Sequence, residues 1–214
     1  MALLKLQHID KSFKSKQVLK DISFELAKGE IMGLIGENGS GKTTILKVVL
    51  GLVNKTYGDV IINDKKVVQG DYSYLKNIGA IIEYPTFYER LTAKRYLFLI
   101  SALYDKDFND KSVDDCLSLV GLKDNDKPIS TFSLGMKQRL GVAQALLHQP
   151  RILLLDEPFN GLDPLGVKEL REILQNLSKQ GVGVIVSSHS LEELNKLVDT
   201  VTVIHQGQLI YRGK

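Results

Sequence analysis

Ile31-Met32-Gly33-Leu34-Ile35-Gly36-Glu37-Asn38-Gly39-Ser40-Gly41-Lys42-Thr43-Thr44 is the stretch on which the fold turns. Ile31 to Ile35 is a short apolar run. Gly36 to Thr43 fits the pattern G-x-x-x-x-G-K-[ST], and Thr44 to Leu50 reads as a helix. Strand, glycine-rich loop and helix in that order form the context this pattern requires. Glycines let backbone N–H groups crowd around a polyphosphate, and the helix N-terminus adds partial positive charge. Lys42 is predicted to reach the β- and γ-phosphates, and the Thr43 hydroxyl to ligate Mg²⁺. The expected nucleotide contacts are Gly36, Glu37, Asn38, Gly39, Ser40, Gly41, Lys42, Thr43 and Thr44.

Bulk properties narrow the class. At 214 residues, 43% hydrophobic and 25% charged, the chain has the composition of an ordinary globular protein. It is long enough to bury a sizeable core without staples. The net charge of +3 comes from scattered lysines with no dense basic cluster, which argues against nucleic acid as a partner. Cys116 is the only cysteine, so neither an intrachain disulfide nor a cysteine metal site is available. It reads as a small core residue, and a reducing, cytosolic compartment is expected. No apolar run approaches the ~20 residues that span a bilayer. Any membrane-spanning part is expected from another chain.

Outward from the loop, the periodicity changes twice. Leu3 to Ile9 and the alternating Ile22, Phe24 and Leu26 predict strands before it. Gly51 suits the end of the helix after it. Val60-Ile61-Ile62, a turn Asn63-Asp64-Lys65-Lys66, and Val67-Val68 predict a hairpin, and Ile78 to Ile82 another strand. Helices are then predicted over Thr92 to Tyr104, Ser112 to Val120 (ended by Gly121), and from a Ser133 cap to about Leu147. The α/β pattern returns with a strand at Ile152 to Leu155, a helix from Asp163-Pro164, and a strand at Val182 to Val186. Ser190-Leu191-Glu192-Glu193 has the form of a capping box opening another helix. Strands at Val201 to Ile204 and Gln208 to Tyr211 flank the turn His205-Gln206-Gly207, the last one running nearly to Lys214. The predicted fold is α/β: a phosphate-loop NTPase core, mainly a parallel sheet with flanking helices. It carries an N-terminal antiparallel β subdomain and an inserted helical subdomain at about 84–148, all within one domain, 1–214.

Two carboxylates close the strand Ile152 to Leu155. In a parallel sheet functional groups gather at the carboxyl ends of strands. Asp156 is therefore placed to hold Mg²⁺, and Glu157 to polarise an attacking water. Between the two nucleotide segments lies Phe132-Ser133-Leu134-Gly135-Met136-Lys137-Gln138-Arg139. This resembles the signature motif of ATP-binding-cassette ATPases, with Leu134 where the family usually has Gly. Leu153 to Pro164, including Asn160-Gly161-Leu162-Asp163, resembles the family's Walker B strand and D-loop, and Val186-Ser187-Ser188-His189 its switch-histidine loop.

The resemblance covers nearly the whole chain and implies roles residue by residue. Ser133, Leu134, Gly135, Met136 and Lys137 would face the γ-phosphate held by a second nucleotide domain, in an ATP-dependent head-to-tail dimer. Gly161, Leu162 and Asp163 would form the D-loop. His189 would contact the γ-phosphate. Phe13, in Lys11-Ser12-Phe13-Lys14, would stack on adenine. Where the family usually has a Gln contacting Mg²⁺ and the attacking water, this chain has Glu83. Glu83-Tyr84-Pro85-Thr86-Phe87-Tyr88 and the form of the signature resemble the bacitracin-export and lantibiotic-immunity branch. The implied protein is the ATPase subunit of a membrane exporter for a peptide antibiotic or related amphiphile. It would use ATP and Mg²⁺ and sit peripherally on the cytoplasmic face of the membrane through permease subunits. The alternatives are a soluble cassette ATPase acting on ribosomes or DNA, whose members usually carry a second cassette or long coiled coils that this chain lacks, and a subunit exporting a different substrate. A phosphate-loop kinase would have no use for the signature helix or the switch histidine.

Overall fold

The computed structural model describes residues 2–104, 110–122 and 126–214. Among the described residues ten strands form two sheets. The first holds β1 (Ala2–Phe13), β2 (Lys16–Ala27), β4 (Tyr57–Ile62) and β5 (Lys65–Lys66), ordered β2-β1-β4-β5 and antiparallel throughout. The second holds β3 (Ile31–Ile35), β6 (Ile78–Ile81), β7 (Ile152–Leu155), β8 (Gly183–Ser188), β9 (Thr200–His205) and β10 (Gln208–Gly213). Its order is β10-β9-β3-β8-β7-β6. All neighbours are parallel except the terminal hairpin β9-β10.

The buried strands of the second sheet are apolar on both faces because both faces are covered. Alternation then divides their side chains between two layers. Met32, Leu34, Ile152, Leu154 and Ile185 pack with the antiparallel subdomain and with α1 (Lys42–Val49). Ile31, Ile35, Leu153, Leu155, Val184 and Val186 pack against α4 (Leu134–Leu146), α5 (Pro164–Lys179) and residues of α2 (Ala93–Ser101) and α3 (Asp110–Leu119). The helical insert thus shares one continuous apolar cluster with the sheet. Cys116 is half-buried against that cluster, as a small core residue.

The expected helices form with the expected caps, although α2 stops at Ser101 and not at Tyr104. Thr92, Ser133 and Asp163 accept from the N–H groups of Arg95, Met136 and Gly166, which satisfies donors the first helical turn leaves free. Among the described residues no strand interrupts Thr92 to Leu147. Two local expectations are corrected. The hairpin after β4 turns on Asn63-Asp64 alone, both at positive φ (50° and 60°), with Lys65 and Lys66 already paired to Ile62 and Ile61. A two-residue turn of that hand matches the twist of its strands, which a four-residue turn does not require. The capping box at Ser190 is absent: that side chain makes no cap bond to α6 (Leu191–Leu194). Glu193 instead accepts from Ser188 Oγ at 2.6 Å.

Candidate active site

β3 delivers the glycine-rich loop to the carboxyl edge of the sheet, and α1 starts inside it. Gly41 precedes α1 at φ 115°, and a Cβ there would lie 2.7 Å from Leu19 Cδ2. Backbone and space therefore both demand glycine. Lys42 is buried, at 5% exposure. Its ammonium donates to the carbonyls of Gly36 (2.6 Å) and Glu37 (3.3 Å) and lies 3.2 Å from Glu157 Oε1. Thr43 Oγ1 donates to Asp156 Oδ2 at 2.7 Å. That single bond joins residues 113 positions apart, because β3 and β7 both flank β8.

The carboxylates are held by β8. Ser187 Oγ donates to Asp156 Oδ1 (2.6 Å) and accepts the Glu157 N–H (2.9 Å). Both Asp156 and Ser187 are buried, so these bonds have no water to replace them. Glu157 takes a left-handed backbone conformation, φ 48°, which an L side chain adopts only against a cost. The turn aims its carboxylate at Lys42 on one side and at His189 Nδ1, 3.0 Å away, on the other. His189 is in turn fixed by its flanks. The Ser188 hydroxyl accepts the Ser190 N–H at 3.0 Å and donates to Glu193.

A cavity of about 540 Å³ opens over this cluster. Phe13, Asn38, Gly39, Gly41, Lys42, Thr43, Thr44 and Glu157 line it, with Val18 and Lys20 from β2. Ser40 is buried behind the loop. Phe13 is half-exposed at the rim, with Lys11 Nζ 4.5 Å from its ring centroid, within cation–π range. A phosphate-binding end and an aromatic end therefore face one space of nucleotide size.

The signature residues lie elsewhere. Ser133, Leu134, Gly135, Met136 and Lys137 do not line that cavity. Leu134 is exposed at the start of α4, and a Cβ on Gly161 (φ 74°) would lie 2.8 Å from Leu134 Cδ2. Leu162 and Gly166 abut Gly135, Asp163 caps α5, and Lys137 pairs with Glu89 at 2.6 Å. Signature turn and D-loop thus form one surface, apart from the phosphate loop of the same chain.

Glu83 is not brought to Thr43 and Asp156. It sits just past β6 at φ 63°, exposed, with its carboxylate 2.8 Å from Lys47 Nζ. The Lys47 hydrogen bond and charge hold this carboxyl below the usual glutamate range. Lys47 lies one turn beyond Thr43 on α1, and its cation captures the acidic side chain. Three positioning residues escaped the sequence reading: Ser187, Lys47 and Gln138. Gln138, buried on α4, donates to the Pro158 carbonyl at 3.0 Å, tying the signature helix to the turn that carries Glu157. A serine closing an apolar strand was a usable sign for Ser187. Gln138 stood in the signature segment without an assigned contact, and Lys47 carried no sign.

Comparison with known proteins identifies the family. Residues 19–160 match the ABC transporter family model. The chain is 40% identical over 209 residues to a lantibiotic transport ATP-binding protein, SrtF, of Streptococcus pyogenes, covering 97% of this chain and 89% of that one. It is also 40% identical over 210 residues to the bacitracin transport ATP-binding protein BcrA of Bacillus licheniformis, covering 97% and 68%. Against an uncharacterized Bacillus subtilis ABC transporter ATP-binding protein, 48% identical, it spans 66% of the relative's length. A solved ATP-binding subunit of an ABC transporter, 30% identical, superposes with a TM-score of 0.85 over 99% of this chain and 90% of that one.

Proposed function

The chain belongs to the ABC transporter ATP-binding family, and we propose that it is the ATP-hydrolysing subunit of a membrane exporter for a peptide antibiotic. The observation that carries the chemistry is the joined cluster Lys42–Glu157–His189 beside Thr43–Asp156. The cargo class rests on the likeness to lantibiotic and bacitracin transport ATPases.

Each residue has a task that its contacts suit. ATP lies in the cavity with its base on Phe13 and its phosphates among the loop N–H groups. Lys42 exchanges Glu157 and the loop carbonyls for the β- and γ-phosphates. That frees the Glu157 carboxylate to take a proton from the water that attacks the γ-phosphorus, as the bond to the β-phosphate oxygen breaks. His189, adjacent to Glu157, hydrogen-bonds the γ-phosphate. Thr43 and Asp156 offer the hard oxygen donors that suit Mg²⁺ and would hold it, directly or through its water. Bound there, Mg²⁺ would neutralise phosphate charge. Glu83 would join them only by leaving Lys47.

The signature turn serves a second copy. Ser133 and Gly135 open α4 on a surface away from the chain's own cavity, so their anion-binding N–H groups are available to the nucleotide of a partner cassette. Head-to-tail closure gives each ATP one phosphate loop and one signature turn. Residues 84–148 act as a helical subdomain that passes closure to separate permease subunits. Among the described residues, no helix is long and apolar enough to cross a membrane.

Glu157→Gln tests the reading. The variant should bind ATP normally, hydrolyse it ~10²–10⁴-fold more slowly, and collect as an ATP-bound dimer. Phosphate release at the wild-type rate would remove Glu157 from the chemistry.

A further inference from the structure

The β9-β10 turn, which sequence marks only as a hairpin loop, lies against the nucleotide cavity. Gln206 and Gly207 line the cavity beside Phe13 and Val18. The Gly207 N–H donates to the Ser40 carbonyl (2.9 Å), inside the phosphate loop. The Gly207 carbonyl accepts the Lys20 N–H (2.8 Å), from β2. One residue thus bonds both halves of the site: the loop for the phosphates and the hairpin whose tip carries Phe13.

Only glycine fits this place. Gly207 has φ 78°, and a Cβ there would lie 2.1 Å from the Val18 carbonyl oxygen. The obstructing atom is backbone, so no side-chain motion relieves it. β2 also packs directly on the loop, since a Cβ on Gly41 would meet Leu19. Turn and strand therefore lie backbone to backbone at Gly207, and the Leu19 side chain of β2 packs on the loop at Gly41.

We propose that Gly207 is a positioning residue for the nucleotide, setting the distance and angle between the phosphate loop and the Phe13 platform. The proposal rests on the cavity being the ATP site. A triphosphate bound in the loop fixes the ribose and base along one direction, and stacking is gained only where the ring lies in the base's path. The Gly207 clamp places the ring there before ATP arrives.

Two measurements test this. The first is calorimetric affinity for Mg-ATP and for inorganic triphosphate in the wild type, Gly207→Ala, Phe13→Ala and the double variant. Gly207→Ala should lose about tenfold more affinity for ATP than for triphosphate, the scale of one base–aromatic stack. The ATP-to-triphosphate ratio of the double variant should be no worse than that of Phe13→Ala, since residues acting as a unit are not additive. The second needs no variant and holds even if Gly207→Ala does not fold: amide exchange of the wild type by NMR. Inorganic triphosphate touches only the loop, yet through the clamp it should slow exchange of the Lys20 N–H as well as the Gly207 N–H. Protection of the loop with Lys20 unchanged overturns the proposal, as do an unchanged ATP-to-triphosphate ratio in a folded Gly207→Ala or additive losses in the double variant. A wild type that binds neither ligand refutes the nucleotide site itself, and the proposal with it.

Discussion

Ser187→Ala is the most economical perturbation of this site. One hydroxyl donates to Asp156 Oδ1 at 2.6 Å and accepts the Glu157 N–H at 2.9 Å, and the residue is 0% exposed. The substitution removes one oxygen and leaves almost no cavity, so the loss is in hydrogen bonding. The bond to a carboxylate is worth ~1.5–3 kcal/mol and the bond from the peptide N–H ~0.5–1.5 kcal/mol. Together they predict a destabilisation of about 2–4 kcal/mol. For a chain of this size that lowers Tm by roughly 5–15 °C. Circular dichroism melts and urea unfolding without nucleotide measure it. Catalysis should fall too, by about tenfold or more, because Glu157 is held in its left-handed turn partly through this contact. ATP affinity should change little, since Lys42, Thr43 and Phe13 are untouched. Val184→Ala, on the same strand and equally buried, separates the two effects. It should lose comparable stability through a cavity while keeping turnover at temperatures where it is folded. If Ser187→Ala melts and turns over like wild type, the hydroxyl does not hold the carboxylates, and the account of the site's rigidity is wrong.

Ser133→Arg should abolish ATP-driven dimerisation in a Glu157→Gln background while sparing nucleotide binding to the monomer. Light scattering with Mg-ATP reads both species, and an undiminished dimer would reduce Ser133 to a helix cap. The Lys47–Glu83 pair gives a pH test with a definite sign. Lys47 depresses the Glu83 carboxyl, so the pair's stabilisation is fully present above the ordinary glutamate pKa and is lost as pH falls through the depressed folded value. Lys47→Met should raise the Glu83 pKa toward the ordinary value by ¹³C NMR. An unmoved titration would mean that the pair does not form in solution. If Glu83 leaves Lys47 for the metal site during turnover, Glu83→Gln should keep much of the Mg²⁺-dependent turnover because an oxygen ligand survives, and Glu83→Ala should lose more. Equal turnover of Glu83→Ala and wild type, with and without the permease, would take this loop out of the mechanism.

The elements of this protein follow from local chemistry. Alternation in Ile22, Phe24 and Leu26, the caps Thr92, Ser133 and Asp163, and glycine at positions such as 41, 51 and 121 act within a few residues of themselves. They were therefore legible, as were the phosphate loop and the paired carboxylates after Leu155. Where local and tertiary preferences competed, the local pattern was overridden. The Ser190 box gave way to a bond between Ser188 and Glu193, while Glu83, given a metal role only by the family resemblance, pairs with Lys47. What the tertiary structure alone decided is the joining of segments. The strand order β10-β9-β3-β8-β7-β6 sets Thr43 against Asp156, Ser187 between the two carboxylates, and Gly207 between Ser40 and Lys20. It also leaves the signature turn facing away from the cavity its own chain builds. Such contacts join residues from 30 to 187 positions apart, and periodicity, which repeats every two or 3.6 residues, carries no information about which strand lies beside which.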